Sequence, residues 1–218
     1  QMFDATTTPS SDHVLIPLTL VNDSTSRQLE KRFYVAFDLL VEAGRIPSEW
    51  RSPLRRIIME AAENADTWGH GQGYVIVFLR QESRGHSGFH VVPDFVPERE
   101  THLFIHVFSV SGSLGTTLKI GEQEAANAML QGLSSRLDGT GLGMPYIIQQ
   151  VNNEASGTIF ISSGGLTRVA SPDGLKRDLF SAGSAYLPGV HLGVIVPIAV
   201  ISGHIPAHES SIARQAQV

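Results

Sequence analysis

The amino-acid sequence predicts an α+β protein built as a mixed sheet covered by helices on one face. Three observations carry that class. A β-branched run at 13–21 is followed by two amphipathic segments; two more strand-like runs lie at 73–80 and 101–110; two helical stretches then precede three closing strand-like runs. Strands clustered in this way, instead of alternating one for one with helices, indicate a two-layer α/β sandwich rather than a doubly wound sheet.

Each element has its own signal. "HVLIPLTLV" (13–21) is apolar and β-branched, a first strand. In "DSTSRQLEKRFYVAFDLLVEAG", Leu29, Phe33, Phe37 and Leu40 recur at helical spacing, and Gly44 is a stop. "SEWRSPLRRIIMEAAENADTWG" sets Leu54, Ile57, Ile58 and Ala61 on one face and ends at Gly69; that stripe needs a sheet to lie on. "GYVIVFLR" (73–80) is a strand, and the Gly-, Ser-, His- and Pro-rich residues 82–100 are long enough to suggest a functional insertion. "THLFIHVFSV" (101–110) alternates Leu103, Ile105 and Val107 with His102, Phe104 and His106, so one face meets a core and the other is mixed. "GEQEAANAMLQGL" (121–133) and "PYIIQQVNNEA" (145–155) suit helices, the second with proline in its first turn, where the missing N–H costs nothing. "GTIFISS", "LTRVAS" and "PGVHLGVIVPIAV" close the chain as strands.

Composition sets the limits. An apolar fraction of 42% and a charged fraction of 17% suit a chain with a core, so the 218 residues divide into a flexible N-terminus (1–12), one domain (13–200) and a polar tail (201–218). The formal charge of −5 gives no footprint for nucleic-acid binding. No apolar run approaches the roughly 18–20 residues a membrane span requires, and the polar N-terminus has no signal-peptide pattern. Cysteine is absent, which excludes disulfides and thiolate metal sites and leads us to expect a cytoplasmic location. The opening Gln1-Met2 suggests a segment of a longer chain with additional domains.

Chemistry concentrates in two stretches. In "DGTGLGMPYII" (138–148), Gly139, Gly141 and Gly143 strip side chains from a turn that enters a helix through Pro145. Backbone N–H groups at such a helix start bind anions, phosphate above all, when side chains leave the approach open. A GxGxG run alone is more often a tight loop or helix entry. It is not a Rossmann fingerprint, because no strand precedes it and the third glycine falls one residue early; it lacks the GK[ST] ending of a P-loop. Upstream, "EAAENA" places Glu60 and Asn64 one turn apart on one helix face. A carboxylate there can take a proton from water, and a carboxamide oxygen can complete the shell of a Mg²⁺ ion that holds phosphate. A solvated helix face accounts for the same pair.

Taken together these stretches resemble the GHKL superfamily of gyrases, heat-shock chaperones, histidine kinases and mismatch-repair ATPases. Glu60-Ala-Ala-Glu-Asn64-Ala resembles its N box and "GTGLGM" its second glycine box; "SGTIFISS" and "PGVHLGVIVP" resemble the strands that follow, in the family's order over about residues 54–197. The resemblance implies a Bergerat-type fold, a left-handed βαβ sandwich holding Mg-ATP between sheet and helices under a mobile lid. It implies Glu60 as the residue that polarises water, Asn64 as the Mg²⁺ ligand, and Gly139, Thr140, Gly141, Leu142 and Gly143 around the phosphates. The lid would run from Leu118 to Leu137, with Ser134, Ser135 and Arg136 at the phosphate end. The implied activity is ATP hydrolysis or phosphorylation of a partner protein in bacterial-type signalling. No phosphoacceptor-histidine helix pair is visible, and stand-alone relatives include anti-sigma-factor-like kinases that act on a partner's serine. Relatives often dimerise through extra N-terminal elements, so a homodimer through residues 1–45 is one expectation.

The first glycine box departs from the pattern. Where the family has DxGxG, this chain has "SVSGS", so Ser109 replaces the aspartate that meets adenine, and Ser111 and Ser113 replace the glycines. Val190 stands where a closing-strand threonine is common. These departures imply weakened binding, a different nucleotide or none, and the alternative is a pseudo-ATPase that uses the lid and residues 82–100 to hold a protein partner. Two rival patterns are present. "SGSLG" resembles a nucleophile elbow around Ser113, for which Asp138 or Asp173 and His191 or His204 would complete a triad. His102 with His106, or His204 with His208, lack a third ligand for zinc, and no tightly held zinc is expected.

Overall fold

The computed structural model describes residues 13–21, 26–69, 73–81, 101–110, 112–131, 143–172, 177–178 and 189–203. Strand β1 (His13–Val21) leads into α1 (Ser26–Glu42), a 3-10 turn (Ser48–Trp50) and α2 (Arg51–Gly69). Strands β2 (Gly73–Gln81) and β3 (Thr101–Ser109) precede α3 (Leu114–Leu118), α4 (Glu122–Leu130) and α5 (Gly143–Ile148), which continues as a π-helical turn over Gln149–Glu154. Then come β4 (Thr158–Ser163), β5 (Leu166–Ala170), the two-residue β6 (Arg177–Asp178), β7 (Val190–Pro197) and a last turn of helix, α6 (Ile198–Ile201). The protein is α+β.

The strands form one sheet in the order β1-β2-β3-β7-β4-β5-β6, and every pairing among the described strands is antiparallel, not mixed as the sequence suggested. The reason is β7. The helical crossover from β3 returns β4 in the same direction as β3, but β7 occupies the place between them and runs against both. The closing strand also stops at Pro197 instead of running on to 200. Proline cannot donate to the ladder, and the chain turns helical after it.

The main core lies between the sheet and the helices. Leu29, Phe33, Phe37 and Leu40 of α1 and Leu54, Ile57, Ile58 and Ala61 of α2 are all buried, as their spacing predicts. Gly44 ends α1 with φ +64; its N–H reaches Val41 O and that of Arg45 reaches Leu40 O, closing the exposed carbonyls in a Schellman arrangement. Strand residues Val75, Val77, Leu103, Ile105, Val107, Leu192 and Val194 face this core. On edge strand β1 the register slips between Ile16 and Thr19, across Pro17, which has no N–H to pair.

The other sheet face carries a second apolar cluster of strand residues, Phe104, Phe160, Val169 and Ile195 with Phe78 packed against it, so Phe104 does find cover. Aromatic rings tile this face. Phe78 stacks on Phe104 at 5.0 Å, Tyr74 on Phe108 at 5.2 Å and Phe108 on His191 at 5.4 Å. His106 Nε2 and His191 Nδ1 lie 3.3 Å apart, a hydrogen bond in which one ring donates. Burial, and then the charge of His191, lowers the His106 pKa to about 4 from 6.5.

The folded state therefore resists a proton that the unfolded chain accepts below pH 6.5. The gap corresponds to up to about 3 kcal/mol, fully present above pH 6.5 and lost as the pH falls toward 4. Thermal melts at pH 7.5 and pH 5 are expected to show a marked drop for the wild type and a smaller one for His106→Gln. Equal drops would remove His106 as the cause.

Candidate functional site

At one end of the sheet the helix-facing positions form a row in register: Val21, Gly73, Ser109, Val190, Ser163 and Leu166. Directly paired residues of antiparallel strands share a face, so these side chains point together toward the helices. Gly73 lets α2 lie close. A Cβ there would stand 3.0 Å from the Ala65 backbone carbon and from its Cβ. Ser109 is fully enclosed, and its hydroxyl has no hydrogen-bond partner among the described residues. Gly73 and Val190 on either side give it none. A buried hydroxyl without a partner is costly and calls for an explanation.

The chain after β3 is anchored across this row. Leu114 N–H donates to Ser163 Oγ at 2.8 Å, in a buried setting. Ser113 caps α3: its Oγ accepts from Thr116 N–H at 3.3 Å and lies 3.1 Å from Thr116 Oγ1. Ser113, expected to contact nucleotide, thus has its hydroxyl engaged in starting a helix that the sequence reading did not include. Glu122, in the first turn of α4, accepts from Gly115 N–H at 2.9 Å, and its carboxyl lies against Gly164 in the β4–β5 turn. Nothing in the sequence reading singled out Ser163 or Glu122; an acidic residue opening a helix was their one local signal.

Glu60 and Asn64 stand on the flank of α2, beside the apolar stripe. They meet the start of α5. A Cβ at Gly143 would lie 2.7 Å from Glu60 Oε2, 3.5 Å from Glu60 Cβ and 3.6 Å from Asn64 Nδ2. The Glu60 carboxylate thus lies over the Gly143 backbone with the Asn64 amide beside it, so the third glycine of the turn and the i,i+4 pair are brought together. The other carboxylate oxygen, Glu60 Oε1, lies 3.5 Å from Arg56 Nε, one turn back on α2. The Arg56 guanidinium lies 4.0 Å over the Tyr146 ring of α5. Burial raises the Tyr146 phenol above its ordinary value; Arg56 pulls it down and Glu60 pushes it up. Sequence reasoning missed Arg56 and Tyr146, which become neighbours only when the two helices pack.

Ser111, Gly139, Thr140, Gly141 and Leu142 lie outside the described residues, as do Ser134, Ser135 and Arg136. Within the described part of the expected lid, residues 118–131, α4 buries Ala125, Met129 and Leu130 in the main core. It is a docked helix. The nucleophile-elbow reading loses His191 as a partner: that ring projects from the opposite sheet face, bonded to His106, while Ser113 caps α3. Asp138, Asp173 and His204 lie outside the described residues. Among the described residues no group of three or more His, Cys, Asp or Glu could hold a metal ion, and no helix is long and apolar enough to cross a membrane. No family model, curated protein or solved structure matches the chain.

Ser163 makes the anchor testable. In Ser163→Ala the buried Leu114 N–H loses its acceptor, an expected loss of about 1–3 kcal/mol in urea unfolding. A variant within about 0.5 kcal/mol of wild type would mean that the chain after β3 is held by other contacts.

Proposed function

We propose that this chain is a GHKL-type nucleotide-binding domain with a Bergerat-type fold, holding Mg-ATP between the α2–α5 edge and the Ser109–Val190–Ser163 row. One observation carries the reading: Glu60 and Asn64 both lie against Gly143, the first residue of α5 and the last glycine of the GxGxG run. The enclosed Ser109 hydroxyl, without a partner among the described residues, adds support at the sheet end.

In this reading Asn64 supplies a carboxamide oxygen to Mg²⁺, which when bound neutralises phosphate charge. The resemblance gives Gly141 and Gly143 as the glycines whose backbone would meet phosphate oxygens. Glu60 accepts the proton of the attacking group, water in hydrolysis or a serine hydroxyl of a partner protein in phosphoryl transfer. Ser109 offers the base one neutral hydroxyl. A neutral bond is worth about 0.5–1.5 kcal/mol against about 1.5–3 for a charged one, and about 1.4 kcal/mol is tenfold in affinity. Cytoplasmic signalling, with a protein partner or further domains of a longer chain, is the setting this chemistry fits.

A second reading, a pseudo-ATPase that holds a protein partner with little or no nucleotide, is favoured by the base end alone: Val190 is buried beside Ser109, and no charged group of the row faces a ligand.

Calorimetric titration with ATP and a non-hydrolysable analogue, with and without Mg²⁺, separates the two. Saturable Mg²⁺-dependent binding is expected. Glu60→Ala is then expected to abolish turnover with affinity largely kept, whereas parallel loss of both would make Glu60 structural. No heat at millimolar nucleotide selects the second reading. Ser109→Ala is expected not to lower the melting temperature, since the hydroxyl bonds to no described protein group, and to weaken nucleotide binding about 2–10-fold. An unchanged affinity would move the base away from Ser109.

A further inference from the structure

We infer that Arg56 is the positioning residue for Glu60: its guanidinium, laid on the Tyr146 ring, fixes the Glu60 carboxylate against Gly143. The inference rests on the reading of Glu60 as the proton acceptor.

The two successive arginines of α2 show what such a clamp does. Arg55 lies 4.6 Å over the Tyr34 ring and pairs with Glu30, both on α1. Arg56 repeats the pattern on the other flank, 4.0 Å over Tyr146 of α5, with Glu60 of its own helix at 3.5 Å. The first clamp joins two helices that only support the sheet. The second joins α2 to the helix that Gly143 opens, and its acidic member is the candidate base.

Geometry explains why Glu60 needs a holder. Its side chain has three rotatable bonds and is 28% exposed, so by itself it samples rotamers that face solvent. An exposed Arg–Glu pair at i,i+4 restrains this little, because both chains lose entropy and water screens the charge. Here the Arg56 guanidinium, though its side chain is 53% exposed, has a second partner. Its face is committed to the Tyr146 ring, which is itself packed against the main core. One carboxylate oxygen then faces Arg56 and the other faces the start of α5. A base misplaced by an ångström forfeits much of its catalytic effect, while a ligand held by other groups hardly registers the change.

The test uses the full chain, with Mg-ATP turnover and binding measured in parallel. Arg56→Gln is expected to lower kcat at least tenfold with nucleotide affinity within about twofold, and to add no further loss to Glu60→Ala. Arg56→Lys, which keeps the charge without the planar face, is expected to recover only part. Arg55→Gln is expected to lower the melting temperature and leave kcat unchanged. The contact itself is read without nucleotide by NMR titration of the Tyr146 ring, expected to move up in Arg56→Gln and down in Glu60→Gln. A stationary Tyr146 titration, or an active wild type with an equally active Arg56→Gln, overturns the inference about Arg56 alone. A wild type that binds no Mg-ATP, or binds it without turnover, overturns the reading of Glu60 and the role of Arg56 with it.

Discussion

Strand β7 is the constraint on which the rest of the arrangement depends. Every one of its eight positions is buried, so it must satisfy two cores at once. Val194 and Leu192 face the helices, and Ile195 joins the aromatic cluster behind. Gly193 shows how tight the fit is: a Cβ there would stand 1.8 Å from Phe160 Cζ, so the ring lies directly on the backbone. An aromatic ring covering a strand glycine replaces the side chain the glycine lacks, and it fixes the register of β4 on β7. From that register follows the alignment of Ser163 with Val190, and the β3–β7 pairing adds Ser109 to the row. The sheet end of the candidate site is therefore set by packing behind the sheet, on the face away from the site.

The helix end is set by small residues. Ala61, Ala62 and Ala65 are buried on α2, and Gly73 receives the helix backbone at contact distance. A larger residue at either place would lift the C-terminal half of α2 off the sheet. Glu60 and Asn64 lie on that half, so their approach to Gly143 is a consequence of how closely α2 can settle. Ser163 and Glu122 perform the complementary task for the segment after β3, satisfying backbone donors at Leu114 and Gly115. Fold and site share their determinants here.

Much of this was legible in the sequence. The apolar stripes of α1 and α2, the alternation in β3 and the stop at Gly44 each express a local rule, and each lies where the rule puts it. The i,i+4 spacing placed Glu60 and Asn64 on one face, and the glycine turn pointed to Gly143, though four residues of that turn lie outside the described part. What escaped was long-range. No local pattern says that the last strand enters between β3 and β4, and the antiparallel sheet follows from that step alone. The cap at Ser113 competed with a reading that used the same serine as a glycine substitute. Arg56 and Tyr146 are 90 positions apart in sequence, and nothing but helix packing joins them.

The two ends of the site differ in a way that bears on selectivity. Around Gly143 there are a carboxylate, a carboxamide, a guanidinium and a phenol, whereas the sheet row offers Ser109 between a glycine and a valine. Under the proposed reading, binding free energy then comes mainly from phosphate and Mg²⁺, whose interactions are charge-assisted, and little from the base. A lone hydroxyl can donate or accept, so it distinguishes an exocyclic amine from a carbonyl far less sharply than a carboxylate does. Discrimination among purine triphosphates should accordingly be shallow, while dependence on the divalent cation and on the number of phosphates should be steep. Under the same reading the scaffold would lie close to the boundary between nucleotide enzyme and binding module: Glu60 and Asn64 stand together at Gly143, whereas Ser109 has no charged neighbour in its row.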